Sequence, residues 1–350
     1  MISNGGNMLE KFGGWATILA ELCNGHDLTA EKTECLLSEI LSGEADPSQI
    51  AAFLIAIKIK GETTEEITGL VNAMLKASQP LSVPADAIDI VGTGGSTQRR
   101  EAALNVSTMA SFLAAASGAV VCKHGNRKAS SPSGSFDFLE ALGLPVEQTP
   151  DQVSEQIHEK NLAFVFAKTF HPAMRFAGPV RAAIGIPTVF NILGPLSHPG
   201  GVSRHLIGTV NEVLATQMAE VLLSKGSERA WVVVGNGGVD EIAVTGPTLV
   251  MEVKDGLLQK WELDPSTLGF SLHPPESIRG GTPKENAQIA NRIFSGEEQG
   301  ARREMIILNA AAALVVAEVV EDLSEGVEKA TFSLENGSVI ELIESLKMSL

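Results

Sequence analysis

Apolar residues in the first eighty positions recur at the three- and four-residue spacing of α-helices. Leucine and isoleucine at 36, 37, 40 and 41 share one face of a helix that Gly43 should end. Two capping boxes, DPSQ at 46–49 and TTEE at 63–66, each precede another apolar segment. This part of the chain is therefore predicted to consist of consecutive helices.

After residue 84 the pattern changes to short apolar runs that end in glycine or polar turns. Runs at 88–91 and 119–122 are followed by GTGG at 92–95 and KHGNR at 123–127. Helical patterns separate such runs, and strands that alternate with helices favour a parallel sheet. We predict an α/β fold in which helices flank both faces of a mostly parallel central sheet.

These patterns divide the chain into two predicted domains. Residues 1–12 form an N-terminal extension, and residues 13–80 form a small all-helical domain. The large α/β domain covers residues 84–350, interrupted by a segment near 178–200 that joins the helical domain. Prolines in residues 79–85 indicate that this short stretch is the linker between the two.

The acidic balance limits the partners that the chain can bind. The formal charge is −16, whereas non-specific nucleic-acid binding relies on Lys and Arg to neutralise phosphates. An anionic membrane surface would repel the chain in the same way. We therefore expect neither nucleic acid nor a membrane as a partner. A small anionic ligand remains compatible, because it needs only a local basic pocket or a metal ion.

The cysteine pattern and the N-terminal sequence indicate a cytoplasmic protein. The three cysteines, Cys23, Cys35 and Cys122, form no CxxC pair, which is typical of reduced proteins without a structural metal site. The N-terminal residues lack the apolar region of a signal peptide. The apolar run at 310–317 is too short to span a bilayer.

Three features between residues 89 and 143 suit phosphate groups. The glycines of GTGG at 92–95 allow close backbone approach to a ligand, and NVST at 105–108 opens a helix whose free N–H groups attract anions. Lys123 and Arg127 add positive charge to an otherwise acidic chain. Together these features predict a ligand with more than one phosphate, although the stretch contains neither a GxGxxG nor a Walker sequence.

Two further features are less specific by themselves. Asp240 and Glu241 follow a second glycine turn, and adjacent carboxylates at a strand end suit Mg²⁺, which prefers oxygen ligands. The alternative interpretation is solvated surface charge. His171 begins a stretch, residues 171–181, whose alternating apolar and basic residues predict a helix that carries polar groups into a cleft. A lone histidine is more often part of a surface or a core.

Eight sequence motifs occur along the chain in an order that is more specific than any one of them. They are GTGG at 92–95, NVST at 105–108, KHGNR at 123–127, SGS at 133–135, HPAMRFAGPVR at 171–181, FNILGPL at 190–196, GGVDE at 237–241 and GGTPKEN at 280–286. In this ordered set the chain closely resembles the anthranilate phosphoribosyltransferase family from about residue 13 to about residue 320.

The resemblance implies the fold type that this family shares with nucleoside phosphorylases, and a homodimer formed through the helical domain. It implies transfer of the phosphoribosyl group of 5-phosphoribosyl 1-diphosphate (PRPP) to the amine of anthranilate in tryptophan biosynthesis, with release of pyrophosphate. The implied cofactor is Mg²⁺, as two ions. A different string, KxSTGGxGD, and an additional C-terminal domain distinguish pyrimidine nucleoside phosphorylase from this chain.

The resemblance also assigns roles to residues that match the family motifs. The residues implied to bind PRPP are Gly92, Gly95, Ser96, Asn105, Val106, Ser107, Thr108, Lys123, Asn126, Arg127, Ser131 and Ser135. Those implied to bind anthranilate are Gly92, Asn126, His171 and Arg181, and those implied to meet Mg²⁺ are Ser107, Asp240 and Glu241. Arg181, His124 and His171 are expected to position the substrates, and no general base is assigned.

One departure from the family pattern keeps alternative functions open. The family continues GTGG with aspartate, whereas Ser96 follows here in a longer loop that carries Arg99 and Arg100. A related phosphoribosyltransferase with another aromatic or nitrogenous acceptor is therefore one alternative. A non-catalytic PRPP-binding paralogue is another, although the retained Arg181 and the acidic pair at 240–241 oppose it.

Overall fold

The computed structural model describes three stretches of the chain, 9–94, 103–128 and 133–348. These residues divide into two compact units. The helical unit contains the described residues up to Gln79 together with Phe170–Pro199, and the α/β unit contains the rest. The returning segment, predicted near 178–200, thus begins at Phe170. No helix among the described residues is long and apolar enough to cross a membrane.

The N-terminal part of the helical unit consists of four helices joined by short turns. These are α1 (Gly14–Cys23), α2 (Ala30–Ser42), α3 (Pro47–Lys60) and α4 (Thr64–Lys76). Both predicted capping boxes are confirmed: Gln49 Oε1 accepts the Asp46 N–H at 2.8 Å, and Glu66 Oε2 accepts the Thr63 N–H at 2.8 Å. These reciprocal bonds satisfy N–H groups that a helix start otherwise leaves without partners.

The α/β unit begins after Gln79 and alternates strands with helices up to the returning segment. Its first elements are β1 (Ile88–Gly92), α5 (Val106–Ala116), β2 (Val121–Gly125), α6 (Ser135–Ala141), α7 (Pro150–Lys160) and β3 (Leu162–Phe166). The one-turn helix α8 (Ala167–Phe170) follows and ends on the first residue of the returning segment. The buried runs predicted at 88–91 and 119–122 thus form neighbouring strands β1 and β2.

The stretch 171–181 is not the single helix that was predicted. It forms a 3₁₀ turn, Pro172–Arg175, followed by the start of α9 (Gly178–Ile184), and α10 (Phe190–Leu196) comes next. Prolines in the first turn of both pieces explain the break, because proline is accepted at a helix start and cannot donate a hydrogen bond within a helix.

The remainder of the α/β unit adds four strands and five helices among the described residues. These are β4 (Arg204–Gly208), α11 (Glu212–Ser224), β5 (Arg229–Val234), β6 (Thr248–Lys254), β7 (Leu257–Leu263), α12 (Pro283–Phe294), α13 (Ala301–Val316), α14 (Leu323–Glu335) and α15 (Ser338–Lys347). The predicted hairpin is confirmed, because Asp255 and Gly256 take φ angles of 51° and 72° between β6 and β7.

The seven strands form one mixed sheet in the order β3-β2-β1-β4-β5-β6-β7. Strands β1 to β5 run parallel, and β6 and β7 are antiparallel, as the mostly parallel prediction requires. The chain moves outward from β1 to β2 and β3, and then crosses back to β4 on the other side of β1. Ligands of open α/β sheets bind at the carboxyl ends of the strands where the order reverses in this way.

A buried helical layer holds these strand ends in place. Nearly every residue of α13 is buried, and α5 is almost as apolar. The Phe112 ring of α5 lies 5.2 Å from Phe164 of β3 and 6.2 Å from Phe294 of α12, measured between centroids. Because each large buried apolar side chain contributes about 1.5–3 kcal/mol, this packing supplies a rigid base for the loops above it.

Candidate active site

The carboxyl ends of β1 and β2 and the start of α5 define the candidate site. Asn105 precedes the first turn of α5, and its carbonyl accepts the Met109 N–H at 2.9 Å. The N–H groups of the residues between them lie in the first turn, where helices attract anions. The side chains of Val106 and Thr108 are buried, so these two residues offer a ligand only their main-chain groups.

Two glycines allow the acidic pair to reach this position. Gly92 and Gly208 pair across β1 and β4. A Cβ atom on Gly208 would lie 1.8 Å from the Asp240 carbonyl oxygen, and one on Gly92 would lie 3.0 Å from Asp240 Oδ2. The same Oδ2 accepts the Gly94 N–H at 2.7 Å. The glycine turn after β1 therefore contacts the carboxylate that follows the glycine turn after β5.

The three residues predicted to meet a metal ion are assembled here. Asp240 and Glu241 are 6% and 7% exposed, and Glu241 Oε1 lies 3.4 Å from the Ser107 nitrogen. Two carboxylates and a hydroxyl are the oxygen donors that Mg²⁺ prefers. Within the described stretches no group of three or more His, Cys, Asp or Glu side chains forms a metal cage. An ion held here would complete its coordination with water or ligand oxygens.

Lys123 places a buried positive charge beside Ser107. Its ammonium donates to the Ile90 carbonyl and, at 3.2 Å, to Ser107 Oγ. Burial lowers the pKa of Lys123, and the carboxylates of Asp89 and Glu241 oppose that shift. This lysine can supply the local positive charge that an anionic ligand needs in an acidic chain.

Asp89 is a further candidate residue, which none of the sequence motifs includes. It is fully buried in β1, and its Oδ1 accepts the His124 N–H at 2.9 Å. Burial raises its pKa to about 7, although Lys123 and the His124 bond act in the other direction. A carboxylate inside an apolar strand was the available signal, because buried acidic side chains are rare unless they have partners.

The loop after β2 is closed by its own hydrogen bonds. Ser135 Oγ accepts the Asn126 N–H and lies 3.2 Å from the Asn126 carbonyl. A Cβ atom on Gly125 would lie 2.2 Å from that hydroxyl, so only glycine fits there. The Arg127 guanidinium pairs with Glu140 at 2.6 Å. The predicted residues Gly95, Ser96 and Ser131 lie outside the described residues.

Arg181 and His171 belong to the helical unit, whereas the residues above belong to the α/β unit. The half-buried Arg181 guanidinium lies 5.0 Å from the centre of the Phe190 ring, and burial lowers its pKa. No carboxylate in the part of the chain that the structure describes pairs with it. His171 is buried, and burial lowers its pKa to about 4, opposed by a backbone bond with Ser197. Its imidazole is therefore neutral at pH 7.

Comparison with known families places both units in one group. Residues 16–78 match the helical bundle domain of the glycosyl transferase family, and residues 84–340 match the α/β domain of that family. The two matches together span most of the chain and leave residues 79–83 between them.

Curated relatives match over nearly the full chain. The anthranilate phosphoribosyltransferase of Rubrobacter xylanophilus is 44% identical over 326 residues, which cover 93% of this chain and 94% of the relative. That of Roseiflexus castenholzii is 43% identical over 329 residues, which cover 94% of this chain and 96% of the relative.

Solved structures show the same fold. The anthranilate phosphoribosyltransferase of Thermus thermophilus matches with a TM-score of 0.88 at 39% identity, over 94% of this chain and 98% of that one. The Saccharomyces cerevisiae enzyme, solved in complex with PRPP and Mg, matches with a TM-score of 0.87 at 28% identity, over 96% of this chain and 98% of that one. The chain therefore belongs to the glycosyl transferase family of the anthranilate phosphoribosyltransferases.

Proposed function

We propose that this protein transfers the phosphoribosyl group of PRPP to the amine of anthranilate in tryptophan biosynthesis, releasing pyrophosphate. The observation that carries the proposal is the cluster of Lys123, Ser107 and the carboxylates of Asp240 and Glu241 at the strand-order reversal. Positive charge, helix N–H groups and oxygen donors for a divalent ion together suit a substrate with several phosphates.

The chain's own residues bind and orient the phosphoribosyl donor. The N–H groups at the start of α5 and the Lys123 ammonium are proposed to hold phosphate oxygens, as are the loop residues Asn126 and Arg127. Ser107, Asp240 and Glu241 would hold Mg²⁺, which we propose binds as two ions. When bound, Mg²⁺ neutralises the charge that develops on the departing pyrophosphate.

Attack by the anthranilate nitrogen depends more on how the acceptor is positioned than on proton transfer. The nitrogen of anthranilate forms a bond to the anomeric carbon as the bond from that carbon to pyrophosphate breaks, and the nitrogen then loses a proton to solvent. An aromatic amine is already neutral and nucleophilic at pH 7, so orientation dominates the rate. The Arg181 guanidinium has no carboxylate partner among the described residues, which suits bidentate pairing with the anthranilate carboxylate.

We propose that Gly92, Asn126 and His171 also bind anthranilate, and that His124 helps to position it. The buried His171, with a pKa of about 4, is neutral at working pH and therefore supports a positioning role better than an acidic one. No residue is proposed as general base, because the aromatic amine is already a neutral nucleophile.

A fluorescence assay tests the reaction. The protein is incubated with PRPP, Mg²⁺ and anthranilate, while the loss of anthranilate fluorescence and the release of pyrophosphate are followed together. We expect both signals at equal rates, and neither without Mg²⁺. No turnover at millimolar substrates would contradict the proposal.

A related acceptor is the second candidate, because Ser96 replaces the aspartate of the family pattern. A panel of aromatic and nitrogenous amines, assayed for pyrophosphate release, separates the two candidates. Anthranilate should have the highest kcat/KM. Calorimetry that detects tight PRPP binding without pyrophosphate release for any amine would instead identify a non-catalytic paralogue.

We further propose a cytoplasmic homodimer formed through the helical unit. The choice of unit comes from the resemblance to the family, and this unit offers Ile59 and Ile186 as exposed apolar side chains, at 81% and 49% exposure. The three cysteines are free thiols, which suits a reducing compartment. Sedimentation velocity of the wild type and of Ile59→Asp tests the dimer, which the substitution should weaken.

A further inference from the structure

The carboxamide of Asn105, the residue that precedes α5, is held by two donors. Its Oδ1 accepts a hydrogen bond from Ser133 Oγ at 2.8 Å and another from Asn286 Nδ2 at 2.8 Å. An amide oxygen has two lone pairs, so this acceptor is saturated. Asn105 is half-buried, and no acceptor for its Nδ2 group lies within hydrogen-bond distance among the described residues.

Asn286 is fully buried in α12, and both its Nδ2 group and its Oδ1 form hydrogen bonds. Its Nδ2 also donates to the Ala103 carbonyl at 2.8 Å, and its Oδ1 accepts the Gly281 N–H at 2.8 Å. If the oxygen and nitrogen of the Asn286 amide were exchanged, its Oδ1 would face the Ala103 carbonyl oxygen and Asn105 Oδ1, and neither contact would contain a donor. The network therefore allows only one orientation of Asn286, and through it only one orientation of Asn105.

The approach of α12 to this point depends on a glycine. A Cβ atom on Gly280 would lie 2.6 Å from the Ala103 carbonyl oxygen, from the Leu104 Cα and from Asn286 Oδ1. Contacts this short exclude any side chain at position 280. The start of α12 and the residues before α5 are thus built to meet, although they lie far apart in the sequence.

We propose that Asn286 is a positioning residue for the phosphoribosyl donor. It fixes the oxygen of Asn105, together with Ser133, so that the Asn105 Nδ2 group at the start of α5 donates to a phosphate oxygen of PRPP. The inference rests on the proposed function, because it assumes that this site binds PRPP. Asn286 itself touches no substrate and acts through Asn105.

Steady-state kinetics of Asn286→Ala and Ser133→Ala test this role. We expect each to raise the KM for PRPP about tenfold, with the KM for anthranilate changed less than about twofold, because only the PRPP contact is disordered. Asn291→Ala, on the exposed face of the same helix, is the matched control and should leave both constants unchanged. An unchanged KM for PRPP in both test variants overturns the inference.

A double-mutant cycle separates positioning from a general loss of stability. If Asn286 acts through Asn105, Asn105→Ala combined with Asn286→Ala should be no worse for PRPP than Asn105→Ala alone. Asn286→Asp keeps the size and the acceptor for Gly281 but loses both donors, so it should resemble Asn286→Ala. Effects that add fully in the cycle, or a lower melting temperature without any change in KM, overturn the inference.

Calorimetric titration with PRPP and Mg²⁺ distinguishes failure of the inference from failure of the proposed function. Wild-type protein that binds PRPP without turnover contradicts the proposed reaction, yet Asn286→Ala should still weaken binding about tenfold. If Asn286→Ala does not fold, Ser133→Ala provides the same measurement from the other donor. Wild-type protein that binds no PRPP overturns both.

Discussion

Each of the two units buries a lysine side chain near a carboxylate, but among the described residues only the helical unit joins the two in a salt bridge, between Lys60 and Glu66. In the helical unit, Lys60 donates to Asp27, to the Gly61 carbonyl and to Glu66 at 2.7 to 2.9 Å. The fully buried Glu66 also accepts the Leu28 and Thr63 N–H groups. All three ammonium hydrogens and both carboxylate oxygens therefore have partners.

In the α/β unit, Lys123 and Asp89 form no salt bridge with each other in the described part of the chain, and some of their hydrogen-bonding capacity is unused. Within the described residues Lys123 has two acceptors, and Asp89 Oδ2 has no hydrogen-bond partner. Burying an incompletely paired charge costs stability, so this arrangement is expected where a ligand completes it. We infer from the comparison that the saturated pair belongs to the scaffold, and we propose that Lys123 and Asp89 belong to the site.

The largest expected effect is on stability and concerns the complete pair. Lys60→Met leaves Glu66 buried without its cation, so the free energy of unfolding should fall by about 3–5 kcal/mol while KM values for both substrates stay unchanged. Urea unfolding and steady-state kinetics measure the two quantities. Lys58→Met, at an exposed position in α3, is the control and should change neither. A raised KM in Lys60→Met would remove the distinction between the two pairs.

The next effect is on catalysis and concerns the site. Asp240→Asn keeps an acceptor for the Gly94 N–H but loses the charge proposed to hold Mg²⁺, so kcat/KM should fall about 10²–10³-fold with little change in stability. Asp255→Asn, in the exposed hairpin turn, provides the control. Activity restored to the wild-type level by raising the Mg²⁺ concentration confirms a metal role. Full activity at low Mg²⁺ would contradict it.

A substitution of Arg181 tests whether the helical unit also contains a charged group that lacks a partner until a ligand binds. Arg181→Ala should raise the KM for anthranilate about 10–100-fold with little effect on PRPP, because one charged hydrogen-bonding pair is lost. Arg175 lies 4.5 Å from the Phe176 ring in a similar stacking arrangement but is exposed, so Arg175→Ala is the matched control. Equal damage to both substrates would argue against a role in acceptor binding.

The smallest expected effect concerns His205, a buried neutral imidazole on β4 that lies opposite Asp89 of β1 in the strand register. Burial lowers the pKa of His205 from 6.5 to about 4, so the unfolded chain binds a proton below pH 6.5 that the folded chain does not. Stability is therefore unaffected above pH 6.5 and is lost as the pH falls from 6.5 toward 4, by about 2 kcal/mol at pH 5. In His205→Leu the pH dependence of urea unfolding should become shallower. An unchanged slope would mean that His205 takes up its proton in the folded state.

Local patterns determined much of the secondary structure and identified most of the candidate site residues. The capping boxes that begin α3 and α4 and the Asp255-Gly256 hairpin depend on neighbouring residues, so their sequences predict them directly. The alternation of strands and helices likewise predicted the mostly parallel sheet. The motifs that contain Lys123 and Asp240 predicted which residues would carry the chemistry.

Only the tertiary structure decided which of these residues meet. Asp240 bonds to Gly94 over 146 positions of sequence, and Asn286 bonds to Asn105 over 181. Gly208 and Asp89 belong to none of the eight motifs. Gly208 matters because Asp240 lies against it, and Asp89 matters because its carboxylate bonds to His124 of the neighbouring strand β2. Such contacts depend on strand order and on close approach between distant segments, and a sequence pattern with a period of two or 3.6 residues contains no information about either.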